Sequence, residues 1–236
     1  MKNSGFGILL ADILIGIAIL IAIAAIFQTR TEKIKETGTY IESEKDRETP
    51  SMRKKVALTF DDGPDPEYTP KLLDGLNERN VKATFFLLGK QIEQYPDIVK
   101  RMYEEGHTIG CHSFEHVNFS EISEEEACEQ VYKTCAMIAD ITGQPVDFVR
   151  PPYGEWLPCL DKDFCMVPVL WDVDPLDWSV HNADIVTERI LKAVEENSII
   201  LLHDASESSV QAAFSVVDEL TEEGYEFVTV DEILFD

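Results

Sequence analysis

The chain has 236 residues, with 20 Lys or Arg against 45 Asp or Glu and a formal net charge of −25. Residues 1–53 carry seven basic and seven acidic side chains, so the whole surplus lies in residues 54–236, where 38 acidic side chains outnumber 13 basic ones. This charge excludes nucleic acids as partners, because their binding depends on basic side chains that neutralise phosphates, and it disfavours other polyanions. A chain of this length accommodates one domain with an appendage.

An apolar run lies near the start of the chain. From Ile8 to Phe27 the only charged residue is Asp12, and twenty residues are enough for a helix to cross a hydrocarbon core of about 30 Å. We interpret residues 1–27 as an uncleaved membrane anchor, since the run is longer than the usual core of a signal peptide. A cleaved signal peptide is the alternative, because Ala22-Ile23-Ala24 forms a small-x-small cleavage site. Basic residues flank the run on both sides, so charge alone leaves the orientation open.

Residues 28–53 are polar and charged and show neither a helical nor a strand period, which is typical of a linker. As a flexible coil they would hold their ends about 28 Å apart. The remaining domain, residues 54–236, would therefore stay near a membrane.

Short apolar runs alternate with helical patterns through this domain. The predicted strands are Val56–Phe60, Ala83–Leu88, Thr108–Cys111, Asp147–Arg150, Met166–Val173, Ser198–His203 and Glu226–Val230. The predicted helices are Pro70–Arg79, Gln91–Glu105, Glu124–Thr142, Ala183–Glu196 and Ser209–Glu223. Thr69 before Pro70 indicates a helix start, and Ser123 with Glu126 is a capping-box pattern. The alternation predicts a parallel sheet with helices outside, either open or closed into a barrel.

The five cysteines do not predict a disulfide framework. Cys128 and Cys135 share one predicted helix, about 10.5 Å apart along its axis, which is too far for a bridge. We expect both to be small buried hydrophobes. Cys159 and Cys165 flank a short acidic loop and could pair if the domain lies outside the cell.

Two adjacent acids, Asp61 and Asp62, end the first predicted strand and precede the turn residues Gly63 and Pro64. A plain acidic turn is one interpretation. The alternative is a metal site, because His112 and His116 follow a later strand at a spacing of four, which on one helical turn would bring both imidazoles to the same side. Two histidines and one carboxylate form a three-ligand site with an open position, as in catalytic zinc centres. Since neighbouring residues of a strand point in opposed directions, we expect one acid to be a ligand and the other a base.

Further polar residues end other predicted strands. Arg150 could pair with the base and keep it ionised, and His203 ends a continuous apolar run at a strand's carboxyl end, where sites of parallel α/β folds collect. The segment between them contains Asp174, Asp177 and Trp178. By contrast, His107 and His181 have no partner at a ligand spacing, so we expect structural and surface roles for them.

In order along the chain, five motifs resemble those of the polysaccharide deacetylases, the carbohydrate esterase family 4 enzymes with a NodB homology domain. They are Thr59-Phe60-Asp61-Asp62-Gly63-Pro64, His112-Ser113-x-x-His116, Arg150-Pro151-Pro152-Tyr153, Asp174-x-x-Asp177-Trp178 and Leu201-Leu202-His203. The resemblance spans about residues 54–235. It implies a distorted (β/α) barrel of about seven parallel strands, preceded here by the predicted transmembrane helix.

The resemblance also implies a role for each motif residue. Asp62, His112 and His116 would hold a divalent metal, usually Zn²⁺, with Co²⁺ or another divalent ion as alternatives. The proton-handling residues would be Asp61 as general base, oriented by Arg150, and His203 as general acid, supported by Asp177. The substrate-binding groups would be the backbone N–H of Tyr153, for the oxyanion, and the side chains of Trp178 and Leu201, for the acetyl methyl group. Cys111 departs from the family pattern, in which Asn commonly precedes the first metal histidine, and we expect a buried, inert thiol.

The function implied is hydrolysis of N-acetyl groups on N-acetylglucosamine units of cell-wall glycan, outside the cell and close to the membrane. Within enzymes, the alternatives are a chitooligosaccharide deacetylase, a deacetylase of muramic acid residues and an acetyl-xylan esterase. A non-catalytic glycan-binding or metal-sensing protein with the same fold is a further alternative. The sequence indicates a glycan substrate and a membrane as partners, and no protein partner.

Overall fold

Seven parallel strands form the centre of the fold in the computed structural model, which describes residues 54–156 and 166–235. The strands are β1 (Lys54–Asp61), β2 (Thr84–Leu87), β3 (Thr108–Cys111), β4 (Phe148–Val149), β5 (Val167–Pro168), β6 (Ser198–His203) and β7 (Tyr225–Val228). Their order in the sheet is β5-β4-β3-β2-β1-β6, with β7 also paired to β1. Each of the seven predicted strands overlaps one of these, and the predicted parallel arrangement is confirmed.

The strand β1 is the centre of this sheet because it has three neighbours. At Ala57 it pairs with Ile199 of β6 on one edge and with Val228 of β7 on the other. On this second edge, β7 pairs with the first half of β1, and β2 pairs with β1 from Thr59 onward. Residues 56–61 of β1 are buried throughout, and both faces of a strand in a parallel sheet are covered, which explains its continuous apolar run.

The predicted strand Met166–Val173 is a strand only at Val167–Pro168, and its last residue forms an isolated bridge. Val167 and Pro168 pair with β4, whereas Val173 bridges to Ile200 of β6, at the opposite edge of the sheet. Between them, the carbonyls of Val169 and Leu170 accept hydrogen bonds from the Arg150 guanidinium instead of from a strand. One segment therefore connects both edges of the sheet, which makes the sheet a distorted, curled barrel.

Helices cover the outside of the sheet. They are α1 (Tyr68–Glu78), α2 (Gly89–Gln94), α3 (Pro96–Glu104), α4 (Glu124–Thr142), α5 (Ala183–Ala193), α6 (Glu207–Glu222) and α7 (Val230–Phe235). The predicted helix Gln91–Glu105 is split at Tyr95, which leaves the helical conformation with φ −132° and ψ 52° directly before Pro96, since the α region is disfavoured for a residue that precedes proline. The capping box of Ser123 and Glu126 is confirmed at the start of α4.

Several predicted element ends differ from the structure; for example, the predicted helix Ala183–Glu196 ends at Ala193 and the predicted helix Ser209–Glu223 begins at Glu207. The first helix begins at Tyr68 rather than after Thr69, because an Asp65 carboxylate oxygen accepts the N–H groups of Glu67 and Tyr68 and so opens the helix earlier. The predicted strand Glu226–Val230 ends at Val228, and the unpredicted helix α7 follows.

The predicted membrane anchor (1–27), the linker (28–53) and the Cys159–Cys165 pair lie outside the described residues. Among the described residues, no helix combines the length and the apolar character that a membrane crossing requires.

The alternation of side chains along β1 separates two kinds of packing. Val56, Leu58 and Phe60 belong to the core between the sheet and the helices. Thr59 and Asp61 lie on the opposite side, where they contact the Arg150 side chain inside the curled sheet. Because the period of a strand is two, this pattern places the last residue of β1 at the mouth of the barrel interior.

Candidate active site

A cavity of about 440 Å³ lies at the carboxyl ends of the strands. Its lining consists of Asp61, Asp62, His112, His116, Tyr153, Trp171, Asp174, Trp178, Leu201 and His203. Eight of the ten site residues predicted from the sequence are in this lining, and the other two, Arg150 and Asp177, are buried directly behind Asp61 and His203. Sequence reasoning missed Trp171, which lay inside a predicted strand. A volume of this size is typical of small-molecule sites.

Asp62, His112 and His116 form a cluster that could hold a metal ion, with one ligand atom of each within 4.8 Å of the others. The Asp62 Oδ1 atom lies 3.6 Å from His112 Nε2 and 3.5 Å from His116 Nε2. This oxygen is buried and has no hydrogen-bond partner among the described residues. A buried acceptor left unpaired between two imidazole nitrogens fits a divalent cation, which would satisfy all three.

The tautomer of His112 suits a metal ligand. Its Nδ1 lies 2.7 Å from the backbone carbonyl oxygen of Arg150. Because a carbonyl oxygen only accepts, Nδ1 carries the proton and the Nε2 lone pair points into the cluster. Burial lowers the pKa of His116, although the charge of Asp62 opposes this effect. A lowered pKa keeps the ring neutral, as ligation requires.

The two histidines are brought together by a loop, so the helical explanation of their spacing was wrong. Residues 112–118 after β3 are not helical. Ser113 and His116 have positive φ angles of 77° and 60°, and the His116 N–H donates to Ser113 Oγ at 3.0 Å. This turn places the two ring centroids 5.0 Å apart. Non-glycine residues adopt such a backbone rarely, and they do so most often at functional sites.

Both adjacent acids face the cluster, contrary to the expectation that they point in opposed directions. Asp61 Oδ2 lies 3.7 Å from His112 Nε2, nearly the same distance as Asp62 Oδ1. The reason is the φ angle of 74° at Asp62, which turns the chain out of the strand directly after Asp61.

Asp61 is held by a fully buried arginine. Arg150 Nη1 lies 2.7 Å from Asp61 Oδ1 and 2.7 Å from Thr59 Oγ1, and its guanidinium stacks over the Phe86 ring at 4.2 Å. Arginine stays charged when buried, so this contact is a charge-assisted hydrogen bond that fixes the orientation of the Asp61 carboxylate. One carboxylate oxygen of Asp61 is thus occupied, and the other faces the cavity.

His203, which also lines the cavity, is hydrogen-bonded to Asp177. Its Nδ1 lies 2.8 Å from Asp177 Oδ1, and its backbone N–H donates to Asp177 Oδ2 at 2.9 Å. Ser209 Oγ donates to the same Oδ2 at 2.6 Å, a contact that the sequence did not reveal. Burial opposes protonation of His203, but the hydrogen bond and the charge of Asp177, with Asp61 and Asp62, outweigh it and raise the pKa to about 9.

Aromatic and apolar side chains form the rest of the cavity wall. Tyr153 has a φ angle of 59°, and its ring contacts that of His116 edge to face at 4.8 Å. Tyr153 and Trp178 are more than half exposed, whereas Leu201 is buried. Asp174 Oδ1 accepts the N–H of Leu176 at 2.8 Å, so this acid also shapes its own turn.

The other histidines and the cysteines that the structure describes, Cys111, Cys128 and Cys135, do not line the cavity. His107 is buried, with its Nδ1 accepting the Ala83 N–H, and His181 is exposed. Cys111 is buried with its sulfur 3.8 Å from the carbonyl oxygen of Val131 on α4. Cys128 and Cys135 pack in the same apolar cluster.

Comparison with known proteins matches residues 48–163 to the family model described as "Polysaccharide deacetylase". Two curated relatives are peptidoglycan-N-acetylglucosamine deacetylases. PgdA of Listeria monocytogenes is 41% identical over 180 residues, which are 76% of this chain and 39% of that protein. A Bacillus cereus protein is 42% identical over 190 residues, with coverages of 77% and 68%.

A third relative, PdaC of Bacillus subtilis, is named a peptidoglycan-N-acetylmuramic acid deacetylase and is 39% identical over 181 residues, with coverages of 77% and 39%. Its solved structure has a TM-score of 0.74 at 38% identity, covering 77% of this chain and 90% of that one. The chain thus spans about two fifths of the length of PgdA and PdaC.

Proposed function

The chain belongs to the polysaccharide deacetylase family, and from this membership we propose that it hydrolyses the N-acetyl groups of N-acetylglucosamine units in cell-wall peptidoglycan, releasing acetate. The observation that carries the proposal is the arrangement of one cavity. A cluster suited to a metal, an arginine-bound carboxylate and an aspartate-bound histidine all line it or lie directly behind it.

Asp62, His112 and His116 would hold the divalent cation, for which Zn²⁺ is our proposal because two histidines and one carboxylate are a common ligand set of catalytic zinc. When bound, such an ion supplies Lewis-acid activation of water and of the amide carbonyl. Three protein ligands would leave such an ion a further coordination position for water or substrate.

Asp61 is suited to accept the proton of the attacking water. Its Oδ2 faces the cavity, while Arg150 holds Oδ1 and so fixes the direction of the free oxygen. The water oxygen bonds to the carbonyl carbon as its proton passes to Asp61.

His203 is suited to protonate the leaving nitrogen. Asp177 fixes the ring through Nδ1, so Nε2 is the atom left to donate a proton into the cavity. A pKa of about 9 keeps His203 protonated at neutral pH. As the C–N bond breaks, the sugar nitrogen takes this proton and leaves as an amine, and the acetyl group leaves as acetate. The sum is amide plus water giving amine plus acetate.

The cavity wall offers groups for the rest of the acetamide. Tyr153 packs its ring against that of His116 and has a left-handed backbone, and we propose that its backbone N–H donates to the developing oxyanion. Leu201 and Trp178 provide the apolar surface for the acetyl methyl group. The exposed rings of Tyr153 and Trp178 also offer surface for a sugar ring.

The choice of sugar follows from the charge of the lining. Among the described residues, none of the ten that line the cavity is Lys or Arg, so they offer no basic partner for the carboxylate of a free muramic acid unit. This favours uncharged N-acetylglucosamine over N-acetylmuramic acid, although relatives of similar identity are named for each sugar.

We further propose that residues 1–27 anchor the protein in the cell membrane with residues 54–236 outside, where the glycan lies. The support is the apolar run of the sequence and its short polar linker. Protease added to intact protoplasts should remove the domain, whereas full protection would reverse this orientation.

The activity is tested by acetate release from purified peptidoglycan and from defined N-acetylglucosamine oligomers, with muramic acid fragments and acetylated xylan compared in the same assay. We expect release from the first two, loss on treatment with a chelator and recovery on adding Zn²⁺. Binding of glycan without any acetate release would instead support the non-catalytic alternative.

A further inference from the structure

We propose that Gln130, on α4, is a positioning residue that fixes the loop carrying both histidines of the metal cluster. The inference rests on the proposed metal site, and it concerns a residue outside the five sequence motifs. Gln130 does not line the cavity, so it would act through the loop rather than on the substrate.

The contact is made by one oxygen atom. Gln130 Oε1 accepts the backbone N–H of Phe114 at 3.0 Å and that of Glu115 at 2.8 Å. These are two of the three residues between His112 and His116. A single side chain of α4 thus satisfies two successive peptide groups at the centre of the loop.

A second helix binds the same loop from its other side. The carbonyls of Ser113 and Phe114 accept the N–H groups of Gly89 and Lys90, at 3.0 and 3.1 Å. These N–H groups belong to the first turn of α2, where helical donors lack partners within the helix. The loop is therefore held through its N–H groups by Gln130 and through its carbonyls by α2.

The Phe114 side chain completes this attachment. Lys133 Nζ lies 3.3 Å from the centroid of its ring. On the opposite side, a Cβ atom added to Gly89 would lie 2.1 Å from the ring, so only glycine permits this approach. Phe114 is packed between α2 and α4, next to the peptide groups that Gln130 binds.

The loop needs such support because it has no regular structure of its own. Ser113 and His116 hold left-handed backbone conformations, which cost free energy unless surrounding contacts stabilise them. If Gln130 were absent, two loop N–H groups would lose their partner, and the two imidazole nitrogens would no longer be fixed relative to each other. Metal affinity depends on such outer contacts, which typically contribute 10–100-fold.

The geometry also says which replacement should work. Both partners of Gln130 are donors, so only an acceptor oxygen is required, and the side-chain NH₂ is dispensable. Gln130→Glu keeps an oxygen at the same position, whereas Gln130→Leu keeps a similar volume and removes it.

The experiment measures two quantities in the wild type, Gln130→Leu and Gln130→Glu. One is the Zn²⁺ dissociation constant by competition with a chelating dye, and the other is hydrogen exchange of the Phe114 and Glu115 amides in metal-free protein. We expect Gln130→Leu to bind Zn²⁺ about 10-fold more weakly or worse and to exchange both amides faster, and Gln130→Glu to restore both. Gln94→Leu is the control, because its amide bonds only within α2 and its surroundings are exposed.

The proposal is overturned if Gln130→Leu keeps wild-type affinity and exchange, or if Gln130→Glu loses as much affinity as Gln130→Leu. A general loss of stability would lower the melting temperature of both variants alike, whereas we expect rescue by Glu. Neither measurement uses an acetylated glycan, so a failure of the proposed deacetylase activity would leave this result readable.

Discussion

Asp61 and His203 are partners in the register of β1 and β6. Adjacent strands of a sheet lie about 4.8 Å apart, so these two residues leave the sheet side by side. Their backbone separation is fixed by the pairing of six consecutive residues from Val56 to Asp61. The proposed general base and general acid are therefore positioned by the most regular part of the fold, whereas the proposed metal ligands Asp62, His112 and His116 lie just beyond the strand ends.

Replacing the two adjacent acids should separate their roles. Asp61→Asn should retain bound zinc but lower turnover by about 10²–10⁴-fold, the usual contribution of general-base catalysis. Asp62→Asn should bind zinc more weakly, because a neutral amide replaces an anionic ligand. Metal analysis after dialysis, together with acetate release, measures both effects.

If Asp61→Asn lost zinc and Asp62→Asn retained it, Asp61 would be the ligand and Asp62 the base. Near-normal zinc and turnover in both variants would mean that the Asp61-Asp62 stretch is only an acidic turn.

Removing one imidazole should abolish metal binding at this site. We expect His116→Ala to lose zinc and activity together, because a three-ligand site rarely survives on two ligands. His181→Ala is a matched control, since that side chain is exposed and lies outside the cavity lining. Stoichiometric zinc in His116→Ala after dialysis would contradict the assignment of the cluster.

The pH dependence of turnover should report the Asp177–His203 pair. In the wild type the proton donor stays protonated until the pH rises through about 9, so the alkaline limb of the kcat profile should lie near that value. In Asp177→Asn the burial of His203 is no longer offset, and its pKa and the alkaline limb should both move to lower pH. The profile measured between pH 5 and 10 tests this, and an unmoved alkaline limb would exclude His203 as the donor.

The same pair affects stability with a defined sign. The folded pKa of His203 exceeds the ordinary value of 6.5, so the folded protein holds a proton that the unfolded chain releases between about 6.5 and 9. The stabilisation is complete below this window and is lost as the pH rises through it. In Asp177→Asn, the free energy of unfolding should no longer fall across this pH window.

Asp204 should give a second pH effect, at lower pH. It is fully buried, accepts a hydrogen bond from the Thr69 hydroxyl and packs against Gly63. Burial raises its pKa from 3.8 to about 7. Between these values the folded protein holds a proton that the unfolded chain has released, so this group lowers the free energy of unfolding as the pH rises from about 4 to 7.

Asp204→Asn should flatten that slope, since the amide resembles the protonated carboxyl and does not titrate. Urea unfolding of metal-free protein at pH 4.5–7.5 measures it, with the exposed Asp218→Asn as control. A slope equal to that of the wild type would show that Asp204 is ionised throughout this range.

The sequence predicted those features of the fold and the site that depend on neighbouring residues, and it missed those that depend on contacts between distant segments of the chain. The strands and the residues at their ends were found because apolar runs and motif order are local signals. The break inside Met166–Val173 was not, because it depends on the side chain of Arg150 from another strand. Ser209 and Gln130 were missed for the same reason, since each acts on a segment distant in the chain.

The position of β1 has a consequence for how the domain folds. This strand is the first element of the domain, yet it pairs with β6 and β7, which lie near the end of the chain. Pairings between such distant residues are costly in loop-closure entropy, and proteins dominated by them fold slowly. The apolar stretch Val56–Phe60 therefore lacks two of its three neighbouring strands until β6 and β7 have been made, which exposes an aggregation-prone strand during synthesis. A fragment ending before β6 should remain unfolded, and the refolding of the complete domain should compete with aggregation as protein concentration rises.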